Sequence, residues 1–390
     1  MSSIFLCKVI EMIYLDNGAT SYPKPQDMLM AMEDCIKNYC GNPGRSGHFM
    51  SMKTGEEVYN ARKRVSSLFN IKKAERLVFT KNTTEAINLG LKGLLKNGDH
   101  VITTSMEHNS VLRPLRALEK FGVKHSLIKA DTTGIINVKD IESAIKENTK
   151  LIVVTAASNV TGSIMPLKEL GKLARKKGIV FMVDGAQGAG NMDLDVALLN
   201  IDMLAVPGHK GLLGPLGTGA LYVREGIELD SLLQGGTGTE SKKRAQPREF
   251  PEGYEAGTIN APGIIGLGAS AKYIEKIGIS VIREYEKELI GYLDENLLNM
   301  KGITLYGPAN GRKVGISLIN INGIGSEEVT EELSRGYGIA VRGGFHCAGL
   351  AHKSIGTWDT GAVRISVGPY NTKKEMRALV EALNKISKGI

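Results

Sequence analysis

The chain has 390 residues, of which 42% are hydrophobic and 23% charged, with a formal net charge of +8. That length suits a large domain plus a smaller one, and the absence of any run of about 18 uncharged apolar residues argues against a membrane span. The basic residues are scattered, as at Arg62, Lys63 and Arg64 or Lys242, Lys243 and Arg244, whereas a nucleic-acid binder concentrates them with aromatics between.

The first 13 residues are mildly apolar but carry Lys8 and Glu11 and no small-residue cleavage site, so they do not read as a secretory signal, and Met12 stands as an alternative start. From about residue 76 to 223, short β-rich runs alternate with amphipathic helices. Strands are predicted at 77–79, 101–104, 125–129, 151–155, 179–183, 203–205 and 220–223, and helices starting near Thr84, Ser110, Lys139 and Pro166. Several of these runs are continuously apolar, as at Leu151, Ile152, Val153 and Val154, which is the pattern of a strand covered on both faces of a mainly parallel sheet. The alternation predicts an α/β layered domain.

Residues 234–258 are polar and glycine-rich, and a loop that long is expected to serve a site or an interface. Helices follow at 261–277 and 280–299, then strands at 314–321, 339–341 and 363–367, with helices at 326–335 and 372–387. Ser326 is the expected N-cap of the first of these last two helices. This end reads as a smaller α+β domain. Four cysteines, Cys7, Cys35, Cys40 and Cys347, form no C-x-x-C pair, which points to a reducing, cytoplasmic location without a disulfide framework.

Six segments carry chemistry. An apolar strand ends in Asp184, followed by Gly185, Ala186 and Gln187. Beyond the carboxyl end of a strand, such an acid can pair with a cofactor ring nitrogen or simply cap a helix. Lys210, in VPGHKGLLGP at 206–215, sits between glycine turns after an apolar run, as a Schiff-base lysine does and as a surface turn lysine also does. Thr83 and Thr84 open a helix after a strand and make either a phosphate seat or a capping box. His108, after the strand at 101–104, can stack on a flat ring or pack by hydrogen bonding. In VRGGFHCAG at 341–349, glycines leave Cys347 on a loop near Arg342 and His346, whose positive charge would favour the thiolate. Arg364 lies in an apolar strand and needs an anion, either a carboxylate substrate or an internal salt bridge. His346, Cys347 and His352 lack the second nearby cysteine that a zinc site would use, so no metal is expected.

Taken in order, YLDNGAT at 14–20, FTKNTTEAIN at 79–88, SNVTG at 158–162, VDGAQ at 183–187, GHK at 208–210, EAGT at 255–258, VRGGFHC at 341–347 and PYNT at 369–372 resemble the class V aminotransferase-like family of fold-type I pyridoxal-phosphate (PLP) enzymes, specifically its Suf-like cysteine desulfurases. The resemblance spans nearly the whole chain. It implies a fold-type I architecture: a large α/β domain at 27–265 with a mainly parallel central sheet, and a smaller α+β domain at 266–390 that includes segment 1–26. It also implies a PLP-dependent conversion of L-cysteine to L-alanine with the sulfur held as a persulfide on Cys347. The alternative is a selenocysteine lyase acting on L-selenocysteine. Two further readings are another PLP reaction on the same fold, against which Cys347 on its glycine loop argues, and a non-catalytic scaffold or sulfur-relay partner, against which the set Asp184, Lys210 and Arg364 argues.

By position, the resemblance makes Lys210 the Schiff-base lysine and the carrier of the Cα proton. Asp184 holds the pyridine nitrogen, Gln187 the ring hydroxyl, and His108 the ring face, where it is also a candidate proton shuttle. Thr83, Thr84 and His209 seat the phosphate. Thr258 reaches the phosphate in the other subunit of a homodimer, and His48 enters the partner's site. Asn159, Arg364 and Arg342 bind the substrate carboxylate. A sulfur-acceptor protein or thiol collects the sulfur. The chain departs from the family at Pro207, where a serine hydroxyl is usual, at Asn82, where glycine is usual, and in AGLAHKSIGT at 348–357.

Overall fold

The computed structural model describes residues 12–44, 46–239, 242–309 and 311–389. The start of the chain, including Cys7, lies outside them. The chain runs β1 (Ile13–Tyr14), α1 (Gln26–Asn38), α2 (Phe49–Ser67), β2 (Leu77–Thr80), α3 (Thr83–Leu94), β3 (His100–Thr104), α4 (Asn109–Leu118), β4 (Lys124–Ile128), α5 (Val138–Ser143), β5 (Thr149–Thr155), α6 (Leu167–Lys177), β6 (Val180–Asp184), β7 (Met203–Pro207) and β8 (Gly219–Val223). It continues with α7 (Ala261–Ile277), α8 (Ile279–Leu298), β9 (Ile303–Tyr306), β10 (Ile316–Ile321), α9 (Ser326–Tyr337), β11 (Ile339–Ala340), α10 (Gly349–Ile355), β12 (Val363–Ser366) and α11 (Lys373–Ile386).

Seven strands form the central sheet in the order β2-β8-β7-β6-β5-β3-β4, and β8 alone in that sheet runs against the others. The apolar run in β5 behaves as its composition demands. Leu151 and Val153 enter the core on one face, beneath α3 and α4, while Ile152 and Val154 enter the core on the other. β6 repeats the pattern with Met182 against Phe181 and Val183. Burying both faces removes the polar alternation of a half-exposed strand, which is why the residues read as one apolar block. The strand order reverses between β3 and β5, because β4 lies outside β3. In open α/β sheets a ligand crevice forms at the carboxyl ends of the strands flanking such a reversal.

The C-terminal part forms an antiparallel sheet, β12-β10-β9, and β1 pairs with β11. The first described strand, β1, thus lies against the C-terminal part of the chain. The expected junction at 265/266 falls inside α7. That helix packs on α1 and α2, whereas α8 packs on α11, β9 and β10. The change of partner comes at Gly278, which has φ +93° and separates the two helices.

Ser326 is not the cap of α9. Gly325 holds that place, and Ser326 is the first helical residue, its hydroxyl turned to the Thr360 carbonyl at 3.1 Å. By contrast Thr372 caps α11 with a reciprocal capping box to Glu375. Two helices not among the predicted elements, α1 and α2, cover α7. Among the described residues no helix is long and apolar enough to cross a membrane.

Candidate active site

The carboxyl ends of β3, β5 and β6, the start of α3 and the turn after β7 converge on a cavity of about 190 Å³ lined by Thr83, Thr84, His108, Asp184, Gln187 and Lys210, with Asn159 and His209 also at its wall. Residues spread over 128 positions of sequence, Asn82 to Lys210, thus meet where the sheet order reverses.

Asp184 is 1% exposed, and its Oδ1 accepts the Ala186 N–H at 2.9 Å. Burial pushes its pKa up, opposed by that N–H and by the charge of Lys210. A buried carboxylate with no cation in contact calls for a proton-bearing partner. Lys210 keeps some exposure along its stem, but its amine is enclosed, and burial together with Arg364 pulls its pKa down to about 8. That raises the neutral fraction near neutral pH far above an ordinary lysine's, and only the neutral amine attacks an aldehyde.

His108 caps α4, its Nδ1 accepting the Ser110 N–H at 3.0 Å, so the ring proton sits on Nε2. Burial and the charge of Lys210 lower its pKa to about 4, which leaves a neutral, flat ring at the cavity wall. Capping and lining are therefore both served by one side chain.

The opposite end of the cavity is a donor cluster. Asn82 caps α3 by accepting the Glu85 N–H at 2.9 Å, and the Thr83 and Thr84 N–H groups take no acceptor among the described residues. His209 Nδ1 is buried without a partner, and its ring is held neutral by burial, with a pKa lowered to about 4. Free helix-start N–H groups beside an orphaned imidazole nitrogen form an anion seat. Pro207 brings no side-chain donor to it. Gln187 donates Nε2–H to the Gly18 carbonyl at 2.9 Å and also lines the cavity.

These residues fit PLP on chemistry observed here: an enclosed amine of lowered pKa, a buried unpaired carboxylate, a flat neutral ring, and orphaned donors where a phosphate would sit.

Arg364 is 1% exposed. Its Nη2 pairs with Asp16 at 2.7 Å, its Nη1 donates to the Asn159 carbonyl at 3.0 Å, and its Nε is buried without a partner. The internal salt bridge therefore exists, and a donor still remains. A Cβ at Gly18 would meet the guanidinium carbon at 3.0 Å, so the YLDNGAT segment lies against it. The Asn159 amide donates one Nδ2–H to the His346 carbonyl at 2.6 Å, tying the cavity to the Cys347 loop.

That loop is strained and pinned. His346 and Cys347 both have left-handed backbones, φ +53° and +57°, a region that few non-glycine residues adopt and that a cysteine in particular seldom does. The Asn159 amide holds the first carbonyl, and the Asn109 N–H holds the Cys347 carbonyl at 2.9 Å. Arg342 Nη2 lies 3.9 Å from the exposed thiol of Cys347.

The expected positive charge from His346 is absent. Burial, with Arg364 nearby, lowers its pKa to about 3, and burial lowers that of His352 to about 4. The proton positions follow from one acceptor. The Arg342 carbonyl can only accept from His346 Nε2 at 3.1 Å. His346 Nδ1 must then accept from His352 Nε2 at 3.1 Å, and His352 Nδ1 from the Thr357 hydroxyl at 2.7 Å. His352→Ala removes two links of this chain. It should destabilise the fold by about 1–3 kcal/mol and change the alkylation rate of Cys347, with the visible spectrum of the bound cofactor unmoved; an unchanged alkylation rate would disconnect the chain from the thiol.

Glu107, adjacent to His108, is 0% exposed. The Thr104 hydroxyl donates to its Oε1 at 2.6 Å, and Oε2 has no partner among the described residues. Burial raises its pKa to about 8. The folded chain therefore holds a proton that the unfolded chain releases above about pH 4.5. The stability tied to that proton is full below the unfolded value and is lost as pH rises toward the folded one. Glu107→Gln, which keeps the shape without titrating, should gain stability on the wild type, by a few kcal/mol at most, from about pH 4.5 to about 8 and level off above, read as a growing difference in melting temperature. A pH-independent difference would mean that Glu107 is ionised in the fold. Glu107 is not among the residues that the sequence singles out, although its place beside His108 at a strand end was a usable signal.

Five expected site residues do not line this cavity: Cys347, Arg342 and Arg364, placed above, and Thr258 and His48, which lie on the surface. Thr258 is exposed, beyond Glu255, which is locked by Arg62 through bonds of 2.7 and 2.9 Å. His48 is exposed and caps α2 through the Ser51 N–H.

The aminotransferase class-V family profile matches residues 13–379. A protein of Methanothermobacter thermautotrophicus described as a probable cysteine desulfurase is 38% identical over 383 residues, covering 96% of this chain and 94% of the relative. A cysteine desulfurase of Escherichia coli is 33% identical over 389 residues, covering 97% and 94%. Among solved structures, the cysteine desulfurase of Thermococcus onnurineus superposes with a TM-score of 0.91 at 37% identity, covering 97% of this chain and 96% of that one. With its strand-end acid, enclosed lysine and looped cysteine on that same frame, this chain belongs to the class-V aminotransferase family, in the company of its cysteine desulfurases.

Proposed function

We propose that the protein is a PLP-dependent cysteine desulfurase that converts L-cysteine to L-alanine and holds the released sulfur as a persulfide on Cys347. The observation that carries this reading is the meeting of the enclosed Lys210 amine and the Cys347 loop at one crevice, bridged by His108, which lines both the cofactor-sized cavity and the neighbouring one that contains Cys347.

Lys210 would hold PLP as a Schiff base, Asp184 its ring nitrogen, Gln187 its ring hydroxyl, and Thr83, Thr84 and His209 its phosphate. Bound there, the cofactor supplies an electron sink that acidifies the substrate Cα–H and loosens its C–S bond. The free Arg364 Nε, with Arg342, orients the substrate carboxylate. Lys210 Nζ takes the Cα proton, and neutral His108 holds the ring face. The Arg342 charge beside Cys347 favours its thiolate. Its Sγ attacks the substrate sulfur: an S–S bond forms, the C–S bond breaks, and the electron pair stays with the carbon fragment that becomes alanine.

The active unit in this reading is a homodimer in which Thr258 and His48 reach the partner's site. Support comes from the exposed apolar side chains on α1 and α2, namely Leu29, Met30, Ile36, Phe49, Met50 and Met52, the last three of which follow His48 at the start of α2. A cytoplasmic location belongs to the same proposal. Selenocysteine would use the same groups, and no feature of the site favours it over cysteine. The purified, PLP-loaded protein given L-cysteine and a thiol should yield alanine and sulfide in equal amounts; alanine without sulfide, or neither, would overturn the assignment.

A further inference from the structure

Beside the cofactor cavity lies the second one, of about 380 Å³, which holds Cys347 and extends from it along a surface that the conversion of cysteine to alanine does not use. Its walls are two helices that pack against each other, α3 and α4, both starting at the cofactor cavity. Thr84, Asn88 and Lys92 line it at four-residue spacing along α3, and Arg113 lines it one turn into α4. Cys347 closes its inner end, where its carbonyl takes the first N–H of α4.

At 1.5 Å of rise per residue, Arg113 lies about 6 Å along α4 from that end, and Lys92 about 12 Å along α3 from Thr84. Both cations are exposed and form no ion pair with any described residue, and no acidic side chain lines the groove. The charge of Arg113 is also felt at His108.

Two unpaired cations on a groove that ends at the thiol call for an anion carrying something that reacts with Cys347. The volume is at the lower end of small-molecule pockets, which span roughly 300–1,000 Å³, and a folded carrier would need an interface of about 800 Å² per partner. We infer that the groove between α3 and α4 binds a low-molecular-mass thiol bearing carboxylates, which takes the sulfur from Cys347. The inference rests on the persulfide reading. In the transfer, the incoming thiolate attacks the outer sulfur of the Cys347 persulfide. The S–S bond breaks, its electron pair returns to Cys347 as thiolate, and the sulfur leaves as the persulfide of the small thiol. No oxidant or reductant is consumed.

The test compares 2-mercaptosuccinate, an anionic thiol, with neutral 2-mercaptoethanol and cationic cysteamine, reading alanine turnover by the holoenzyme at saturating cysteine. In the Lys92→Glu/Arg113→Glu protein, kcat/KM for mercaptosuccinate should fall about tenfold through KM, the scale of two surface charge contacts. Mercaptoethanol should be unaffected, and cysteamine should gain. Equal loss with all three thiols, or none with mercaptosuccinate, overturns the inference. Intact mass after cysteine alone separates this from the parent reading. If Cys347 gains a sulfur but charge reversal is without effect, only the groove assignment fails; if no sulfur is gained, the desulfurase reading itself fails.

Discussion

Lys210→Ala protein should purify without the visible absorption band of Schiff-base PLP and should turn over cysteine at least about 10³-fold more slowly than the wild type. The cause lies in the turn after β7. The chain leaves the sheet between Gly208 and Gly211, which carries the amine into the cavity floor opposite Asp184. Burial is the main cause of its lowered pKa, and the nearby Arg364 charge adds to it. A group whose pKa falls from 10.5 to about 8 is neutral in a few per cent or more of molecules at pH 7, where an ordinary lysine is almost wholly charged. Uptake of PLP by cofactor-free wild-type protein should therefore speed up about tenfold per pH unit below pH 8 and flatten above it. A rate still climbing at pH 10 would mean that the amine is not desolvated, and a band that survives in Lys210→Ala would mean that another lysine carries the cofactor.

Cys347→Ala should bind PLP with an unchanged spectrum yet form alanine from cysteine at least about 10³-fold more slowly. The separation of these two outcomes follows from position. Cys347 lines the outer cavity and takes no part in the inner one. The substitution should also be mild for the fold, since Cys347 is exposed and its carbonyl, not its sulfur, anchors the loop to Asn109. Retained alanine production in this variant would be fatal to the persulfide step. A further readout is chemical: wild-type protein treated with cysteine in the absence of any thiol should gain one sulfur atom at Cys347, and the Ala variant none.

The two variants divide the site into a part that holds the cofactor and a part that receives the sulfur. His108 stands on the boundary with its Nδ1 occupied by Ser110 and its other face on both cavities. The neutral His346–His352 pair has no share in the chemistry by charge. Its place in the structure is to hold two left-handed residues in one arrangement, so that the thiol points to the same spot without the disorder a glycine-rich loop would otherwise have.

Much of the central sheet is legible in the amino-acid sequence, because its strands obey a local rule. A run such as 151–154, apolar on both faces, must be covered on both sides, and residues at its carboxyl end must then face a crevice. Asp184, Lys210, His108 and Thr83 stand out for that reason. α1 and α2 escape notice because their exposed faces carry Leu29, Met30, Phe49 and Met52, which blur the polar side of the helical pattern. The expected Ser326 cap fails because a hydroxyl near a helix start has more than one acceptor within reach, and here the Thr360 carbonyl, brought in by the 357–361 turn, takes it.

The amino-acid sequence determined the α/β alternation, the chemical type of each candidate group and the order of the motifs along the chain, since these depend on neighbours within a few residues. Tertiary structure alone decided which of those groups meet and in what charge state. Asp16 reaches Arg364 across 348 positions, and His352 finds His346 inside the protein. Glu107 keeps its proton, and Lys210 is free to release its own, only because folding removes both from water. Desolvation and long-range pairing belong to the packed interior, and no local spacing encodes them.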